Sequence, residues 1–319
     1  MDTNTKVIPS LRAEPTTDRD PVAVGRSRWP RNFLWATMVL AACFSAPLVR
    51  LVCFAATSEL YSHILLVPFV SVYLAWLDRR RLSGASKRNW RFIALAGGAG
   101  LALLAGYWLA RLRGWPITNQ DRLAWTTSAF VCLFFGLCGA LLSRDTLRTI
   151  QFPLCFLVFM VPFPTVIHGW LEGVLQRGSA LTAYGFFQVF GMPAYYSNLN
   201  FQLPGFALEV APECSGIHSS LVLFLTSLVA GHLFLRSSWN RGILALAVLP
   251  LGLLRNGFRI FVIGELCVHV GPQMIYSRLH HDGGPLFFAL SMVPFLLLLI
   301  LLRRAEQQRA GLVQPQPCA

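Results

Sequence analysis

Three short segments of the chain carry side chains that could do chemistry. The first is VAPECSGIHSS, residues 210–220, in which Cys214 stands where a long apolar run begins. A cysteine at a helix N-terminus lies near unsatisfied N–H groups and the positive end of the helix dipole, which lower its pKa and favour the nucleophilic thiolate. The neighbouring Glu213 opposes this effect unless it is paired. The alternative interpretation is an ordinary cysteine at the membrane interface.

The second segment, LLRNGFRIF, places two arginines inside an apolar run. Arg255 and Arg259 are four residues apart and share one helical face, and Asn256 lies three residues before Arg259 on that side. Each charged group costs about 2.5–3.5 kcal/mol at the centre of a membrane helix, so both guanidinium groups need anionic or carbonyl partners. The alternative is that one or both extend to the outer headgroups.

The third segment, SRLHHDGGP, precedes the last apolar run and contains His280, His281 and Asp282. A carboxylate neighbour can orient an imidazole and hold its charge. A metal site is not predicted, because a third ligand at standard spacing is missing from the segment. An ordinary interfacial loop remains the alternative here.

Together these segments contain the groups that acyl transfer requires. A cysteine thiolate attacks a carbonyl carbon, an imidazole takes a proton and returns it to the leaving amine, and a guanidinium holds the developing oxyanion. We therefore predict that Cys214, Arg259 and one of the two histidines form a catalytic site that uses no cofactor.

The composition is that of a membrane protein. The 319 residues are 55% hydrophobic, only 13% are charged, and the mean hydropathy is +0.55. Helices are the expected spanning elements, because they satisfy every backbone polar group internally in lipid. The predicted fold is an all-α polytopic membrane helix bundle of about eight spans, at residues 33–55, 60–77, 92–112, 123–143, 150–168, 215–235, 242–264 and 285–302. Residues 1–32 are predicted to be a disordered cytoplasmic tail, 33–304 the membrane domain, and 305–319 a second cytoplasmic tail.

The net charge of +13 is distributed as a membrane topology signal. Lysines and arginines occur in short clusters between apolar runs and not on one polar face, so nucleic acid is not an expected partner and the lipid bilayer is. Clusters after every second span predict cytoplasmic termini and place Cys214 and His280 on the outer side. Most of the eight cysteines lie in apolar runs without a CxxC pair, so neither a disulfide framework nor a zinc site is predicted.

The segment between the fifth and sixth spans is unusually long. LEGVLQRGSALTAYGFFQVF has apolar residues at helical spacing, which predicts an amphipathic helix near the outer interface. GMPAYYSNLN is a turn signal, and FQLPGFALEV indicates short extended or hairpin structure before the cysteine segment.

The same segments resemble the signature segments of the exosortase/archaeosortase family of membrane cysteine transpeptidase-like enzymes. VAPECSGIHSS, RNGFRI and HHDGGPLFF occur in the family's order. Two further family segments resemble LYSHILLVPFVSVYLAW and FPLCFLVFMVPFPTVI, and the whole resemblance covers about Leu60 to Leu302. The resemblance implies Cys214 as the nucleophile, Arg259 as the catalytic arginine, and His280 as the histidine, with His281 in reserve. Arg255 lies outside the motif and is interpreted as a supporting or lipid-facing residue. His218 departs from the family, whose members often carry arginine there, and Glu213 and Asn256 are candidates for support or substrate binding.

The resemblance also implies a substrate. Family members recognise exported membrane precursors with a C-terminal sorting signal, which comprises a motif such as Pro-Glu-Pro, one membrane helix and a basic cluster. The implied enzyme resides in the bacterial inner membrane, cleaves at the periplasmic face through a thioester, and serves surface attachment or exopolysaccharide production. Hydrolysis by water is an alternative to transfer. A different class, a non-enzymatic transporter or assembly partner in polysaccharide export, is disfavoured because the sequence shows no pair of similar halves with broken helices.

Overall fold

The computed structural model describes residues 31–81, 90–271, 273–274 and 283–312, with the side chains at 80, 81, 206, 213, 214 and 310–312 outside that description. The fold is built from helices, which confirms the predicted all-α membrane bundle. The α-helices are α1 (Arg31–Cys43), α2 (Ser45–Thr57), α3 (Val67–Leu77), α4 (Trp90–Leu112), α5 (Asn119–Leu141), α6 (Arg144–Thr149), α7 (Gln151–Phe156), α8 (Thr165–Val189), α9 (Ile217–Phe234), α10 (Ser238–His269) and α11 (Gly284–Leu312). Short 3₁₀ segments occupy Ser62–Leu65, Asp78–Arg81, Leu157–Met160 and Pro212–Ser215.

The described residues contain fewer complete spans than the eight that the sequence predicts. Five helices are long and apolar enough to cross a membrane, namely α4, α5, α9, α10 and most of α11, and the number rises to seven if each of two bent pairs counts as one span. The remaining apolar stretch, Ser62–Leu77, is shorter. The expected spans therefore exist as apolar segments, but three of them are not single long helices.

Both bent pairs lie where the sequence predicts an unbroken span. The first span breaks between α1 and α2, with a bend of 74°. Pro47 explains this break, because a proline ring clashes with the carbonyl four residues earlier, which belongs to Cys43 at the end of α1. The fifth span ends at Met160, and α8 leaves it at 93° after the Val161-Pro162-Phe163-Pro164 sequence.

The helix α8 begins earlier than the predicted amphipathic helix and packs along α10. An added Cβ would lie 2.8 Å from a side-chain carbon of Leu253 at Gly178, and 2.6 Å from Thr182 at Gly257. At Gly264 it would lie 2.7 Å from Phe187. Contacts at increasing positions in both helices mean that α8 and α10 run in parallel, and glycines allow their backbones to approach closely.

A small antiparallel sheet follows α8, with the order β1-β2-β3. The strands β2 (Asn200–Leu203) and β3 (Phe206–Glu209) form the predicted hairpin. The strand β1 (Tyr195–Ser197), which pairs with β2, was expected only as part of a turn. The actual turn is narrower, at Asn198 and Leu199, both of which have positive φ. The sheet packs on α8 and α10 through a buried cluster that includes Phe187, Phe201 and Phe261.

The last helix extends past the predicted end of the membrane domain. α11 continues to Leu312, so residues 305–312 of the predicted C-terminal tail are helical, whereas residues 1–30 of the predicted tail at 1–32 lie outside the described residues. Within this extension, both carboxylate oxygens of Glu306 accept backbone N–H bonds, from Arg236 at 2.8 Å and Ser237 at 2.9 Å. Asn240 Nδ2 donates to the same carboxylate at 2.8 Å. A side chain of α11 therefore caps the N-terminus of α10.

Candidate active site

The backbone of Cys214 lies in a tight turn between the sheet and α9. Pro212–Ser215 forms one 3₁₀ turn, Gly216 then adopts the left-handed conformation with φ 69° and ψ 18°, and α9 starts at Ile217. Proline suits the first turn because its missing N–H would have no helical partner there, and glycine adopts positive φ without a Cβ clash. We call residues 212–216 the Cys214 turn. It places Cys214 directly before the N-terminus of a membrane helix, as the sequence predicts.

The approach to the Cys214 turn is fixed by α8 and by the sheet. The side chain of Gln176 on α8 donates through Nε2 to the carbonyl oxygen of Val210 at 2.6 Å. The N–H of Val210 donates to the carbonyl of Leu199 at 2.9 Å. The sequence alone gives Gln176 no role beyond that of a polar residue in the amphipathic pattern of α8. A lone amide in an apolar helical face was the available signal for this anchoring role.

The Cys214 turn lies directly against α10. A Cβ added to Gly216 would come within 2.9 Å of Asn256 Cγ and 3.0 Å of its Oδ1. Asn256 is only 3% exposed. Because no larger residue fits at position 216 without displacing Asn256, the cysteine segment and the arginine segment are in contact.

Arg255 also reaches this turn. Its Nη2 lies 3.4 Å from the carbonyl oxygen of Gly216 and 3.3 Å from Ser220 Oγ, both within hydrogen-bonding range but long. The residue is 7% exposed, so the interpretation of Arg255 as lipid-facing is wrong and it does not extend to the headgroups. Arg259 is half-buried one helical turn further along α10. Ser220, which the sequence did not single out, is a partner of the arginine segment.

His218 connects the Cys214 turn to a second group of polar side chains. It lies in the first turn of α9, half-buried, and within electrostatic range of His63. His63 Nδ1 is 3.0 Å from the carbonyl oxygen of Leu60, and its ring centre is 6.4 Å from that of Tyr61. This arrangement brings the early Tyr-Ser-His segment towards the start of α9.

Tyr61 is the centre of that second group. Gln120 Nε2 donates to the Tyr61 hydroxyl at 2.8 Å, and the His168 ring centre lies 6.4 Å away. We call Tyr61, His63, Gln120 and His168 the Tyr61 cluster. It connects segments from the first half of the chain to α8.

The structure leaves part of the predicted site undescribed. His280 and His281 lie outside the described residues, as do the side chains of Cys214 and Glu213. Among the residues that are described, no group of three histidine, cysteine or acidic side chains could hold a metal ion. The described part of the site therefore consists of the Cys214 turn, His218, Ser220, and the Arg255, Asn256 and Arg259 face of α10.

Comparison with known proteins identifies the family. The family model for the transmembrane exosortase matches residues 55–297, which is more than half of the 319-residue chain. The chain belongs to the transmembrane exosortase family. The match to the exosortase model begins in α2 and ends in α11, so it includes the Tyr61 cluster, the Cys214 turn, Arg255 and Arg259 of α10, and positions 280–281. No curated protein and no solved structure matches the chain significantly.

Proposed function

We propose that this exosortase-family protein is a membrane-embedded cysteine protease or transpeptidase that cleaves the C-terminal sorting signal of exported precursors. The contact of the Cys214 turn with Asn256 and Arg255 supports the proposal, since it joins the backbone of the cysteine segment to the arginine segment of α10 in a multi-pass membrane protein. The substrate would carry a Pro-Glu-Pro-like motif, one membrane helix and a basic cluster. The reaction would serve surface attachment or exopolysaccharide production, at the periplasmic face of the inner membrane.

The proposed reaction has two acyl-transfer steps. The Cys214 thiol gives its proton to His280, with His281 as the alternative base, and the sulfur attacks the carbonyl carbon of the scissile peptide bond. Arg259 stabilises the negative oxygen of the tetrahedral intermediate. The C–N bond then breaks, the leaving amine takes the proton from the imidazole, and a thioester to Cys214 remains. An acceptor amine, hydroxyl or water attacks the thioester and releases the thiol.

The nucleophile assignment is tested in cells that express a reporter precursor with such a sorting signal. Cys214→Ala should abolish reporter processing, because no other group in the proposed reaction can form the thioester. The matched control is Cys155→Ala, which changes an exposed free cysteine and should process the reporter normally. Normal processing by Cys214→Ala would show that the nucleophile is another group.

The arginine assignment is tested in the same cells. Arg259→Lys should lose most processing, because an ammonium group lacks the planar fork of a guanidinium. Arg177→Lys changes an exposed arginine of α8 and is the matched control. Normal processing by Arg259→Lys would show that a positive charge at this position is sufficient and that the guanidinium shape is not required. Mass spectrometry of the mature reporter C-terminus then locates the cut and distinguishes water from another acceptor.

A further inference from the structure

Arg255 is buried in a way that its hydrogen bonds do not explain. Only 7% of the residue is exposed. Its two hydrogen bonds both come from Nη2, are long, and go to neutral oxygens. Its Nη1 is enclosed and has no hydrogen-bond partner among the side chains and backbone groups that the structure describes. No salt bridge joins it to a carboxylate among the described residues. A buried guanidinium costs several kcal/mol without an ionic partner, so structural need alone is a poor reason for this residue.

The like charge on the same helix makes the position still more costly. Arg259 lies four residues further along α10, and like charges at this spacing destabilise a helix. A guanidinium keeps its charge in proteins, so Arg255 is a permanent positive charge in a region of low dielectric. An uncompensated charge there strongly stabilises any negative charge that forms nearby.

Cys214 belongs to the turn that Arg255 contacts, and its thiol can become negative. Arg255 contacts the carbonyl of Gly216, which is two residues after Cys214. The Cα atoms of these two residues are at most about 7.6 Å apart, because consecutive Cα atoms are about 3.8 Å apart. The start of α9 adds the positive end of its dipole at the same place.

We propose that Arg255 is a positioning residue for the nucleophile, which holds the Cys214 turn through Gly216 and supplies the positive charge that stabilises the Cys214 thiolate. The proposal rests on the proposed function only in taking Cys214 as the nucleophile. Arg255 lies outside the Asn256-x-x-Arg259 motif, so this assigns separate roles to the two arginines: Arg255 acts on the thiolate and Arg259 on the oxyanion.

Other ionisable groups on the elements packed around the turn also act on the thiol. At an effective dielectric of about 20 and a separation of about 10 Å, one unit charge changes a pKa by about one unit. Removal of Arg255 should therefore raise the thiol pKa by about one unit, against a background set by the remaining groups. These are Glu213 in the turn itself, Glu209 on β3, Glu172 and Arg177 on α8, His218 on α9 and Arg259 on α10.

The test measures the pKa of the Cys214 thiol in the full-length protein. Purified protein in detergent is alkylated with iodoacetamide at a series of pH values, and mass spectrometry follows each cysteine separately. In the wild type the Cys214 reaction should have its midpoint below the value of about 8.5 for a free cysteine. Arg255→Gln should raise that midpoint by about one unit, and Arg255→Lys should restore most of it by restoring the charge.

The same spectra contain the controls. Buried Cys138 and Cys267 should stay unmodified as long as the protein is folded. Arg177→Gln should move the Cys214 midpoint by less than Arg255→Gln does, because Arg177 is exposed and its charge is screened by solvent. An ordinary wild-type midpoint would overturn the proposal even if Arg255→Gln unfolds, and so would equal midpoints for the wild type and a folded Arg255→Gln. Equal increases in the Gln and Lys variants would also overturn it, because they would show that shape and not charge matters.

This measurement is independent of the proposed function. Normal reporter processing by Cys214→Ala would refute Cys214 as the nucleophile, whereas the thiol midpoint does not depend on turnover. The Cys214 thiol could have a lowered midpoint that depends on Arg255 while the Cys214→Ala variant still processes the reporter. That outcome would support the role of Arg255 at the thiol and refute Cys214 as the nucleophile.

Discussion

Gly216 offers the sharpest perturbation of the candidate site, because alanine there changes both backbone conformation and packing. Its φ of 69° lies in the left-handed region, where a residue with a Cβ costs about 1–2 kcal/mol. The added Cβ would also lie 2.9 Å from Asn256 Cγ, and overpacking of this kind costs about 1–3 kcal/mol. Gly216→Ala should therefore destabilise the protein by roughly 2–5 kcal/mol and move the Cys214 turn away from α10.

Gly114 provides a matched control for the backbone effect. It has the same φ of 69°, and a Cβ there would meet nothing within 4 Å. Gly114→Ala should cost only the conformational part, about 1–2 kcal/mol. The assay compares thermal unfolding midpoints in detergent at one heating rate, together with reporter processing. Gly216→Ala should lower the midpoint more than Gly114→Ala does, and it alone should lose processing.

A double variant isolates the contact with Asn256. Asn256→Ala removes the three atoms that the new Cβ would approach, so Gly216→Ala should cost less stability in that background, by about 1–3 kcal/mol. Processing should stay lost, because Asn256 belongs to the arginine segment. Equal destabilisation by Gly216→Ala and Gly114→Ala, or strictly additive effects in the double variant, would refute the inferred contact between the turn and α10.

Two further predictions concern how α8 holds the site. Gln176→Leu should slow reporter processing by loosening the approach to the Cys214 turn, at a cost of about 1–3 kcal/mol for the carbonyl left unpaired, while the exposed Gln188→Leu should process normally. If both variants process alike, the bond does not position the turn. Gly257→Ala should lower the unfolding midpoint, because its Cβ would lie 2.6 Å from a side-chain carbon of α8. At Gly173 the added Cβ would meet open space, so Gly173→Ala should leave the unfolding midpoint unchanged or raise it. Equal unfolding midpoints for Gly257→Ala and Gly173→Ala would contradict the close packing of α8 and α10.

Helices α4, α5 and α9 follow from the sequence within a few residues. Each is one apolar run without an internal proline, and Thr118 caps α5 by accepting the N–H of Asp121. Proline does not decide the other helices by itself. Pro47 coincides with a break, whereas Pro250 lies inside the continuous helix α10. Neighbouring helices can re-satisfy the backbone groups that a proline frees, and a single sequence does not show which neighbours those are.

The candidate site shows the same division between local and long-range information. Helical spacing places Arg255 and Arg259 on one face of α10, which the sequence alone predicts. The burial of Arg255 against Gly216 and Ser220 depends on contacts across more than thirty residues, between α9 and α10. The sequence motif drew attention to Arg259, and the structure adds Arg255 because a buried donor without a partner is visible only in three dimensions.

The Glu306 cap has a consequence for the order of biosynthesis. Chains are synthesised and inserted from the N-terminus, so α10 with Arg255 and Arg259 enters the membrane before Glu306 has been made. Until then the N–H groups of Arg236 and Ser237, which directly precede α10, lack the carboxylate that accepts them. The final anchoring of α10 therefore waits for the last helix, and a chain terminated before Glu306 would retain every residue of the candidate site on a helix that was never locked in place.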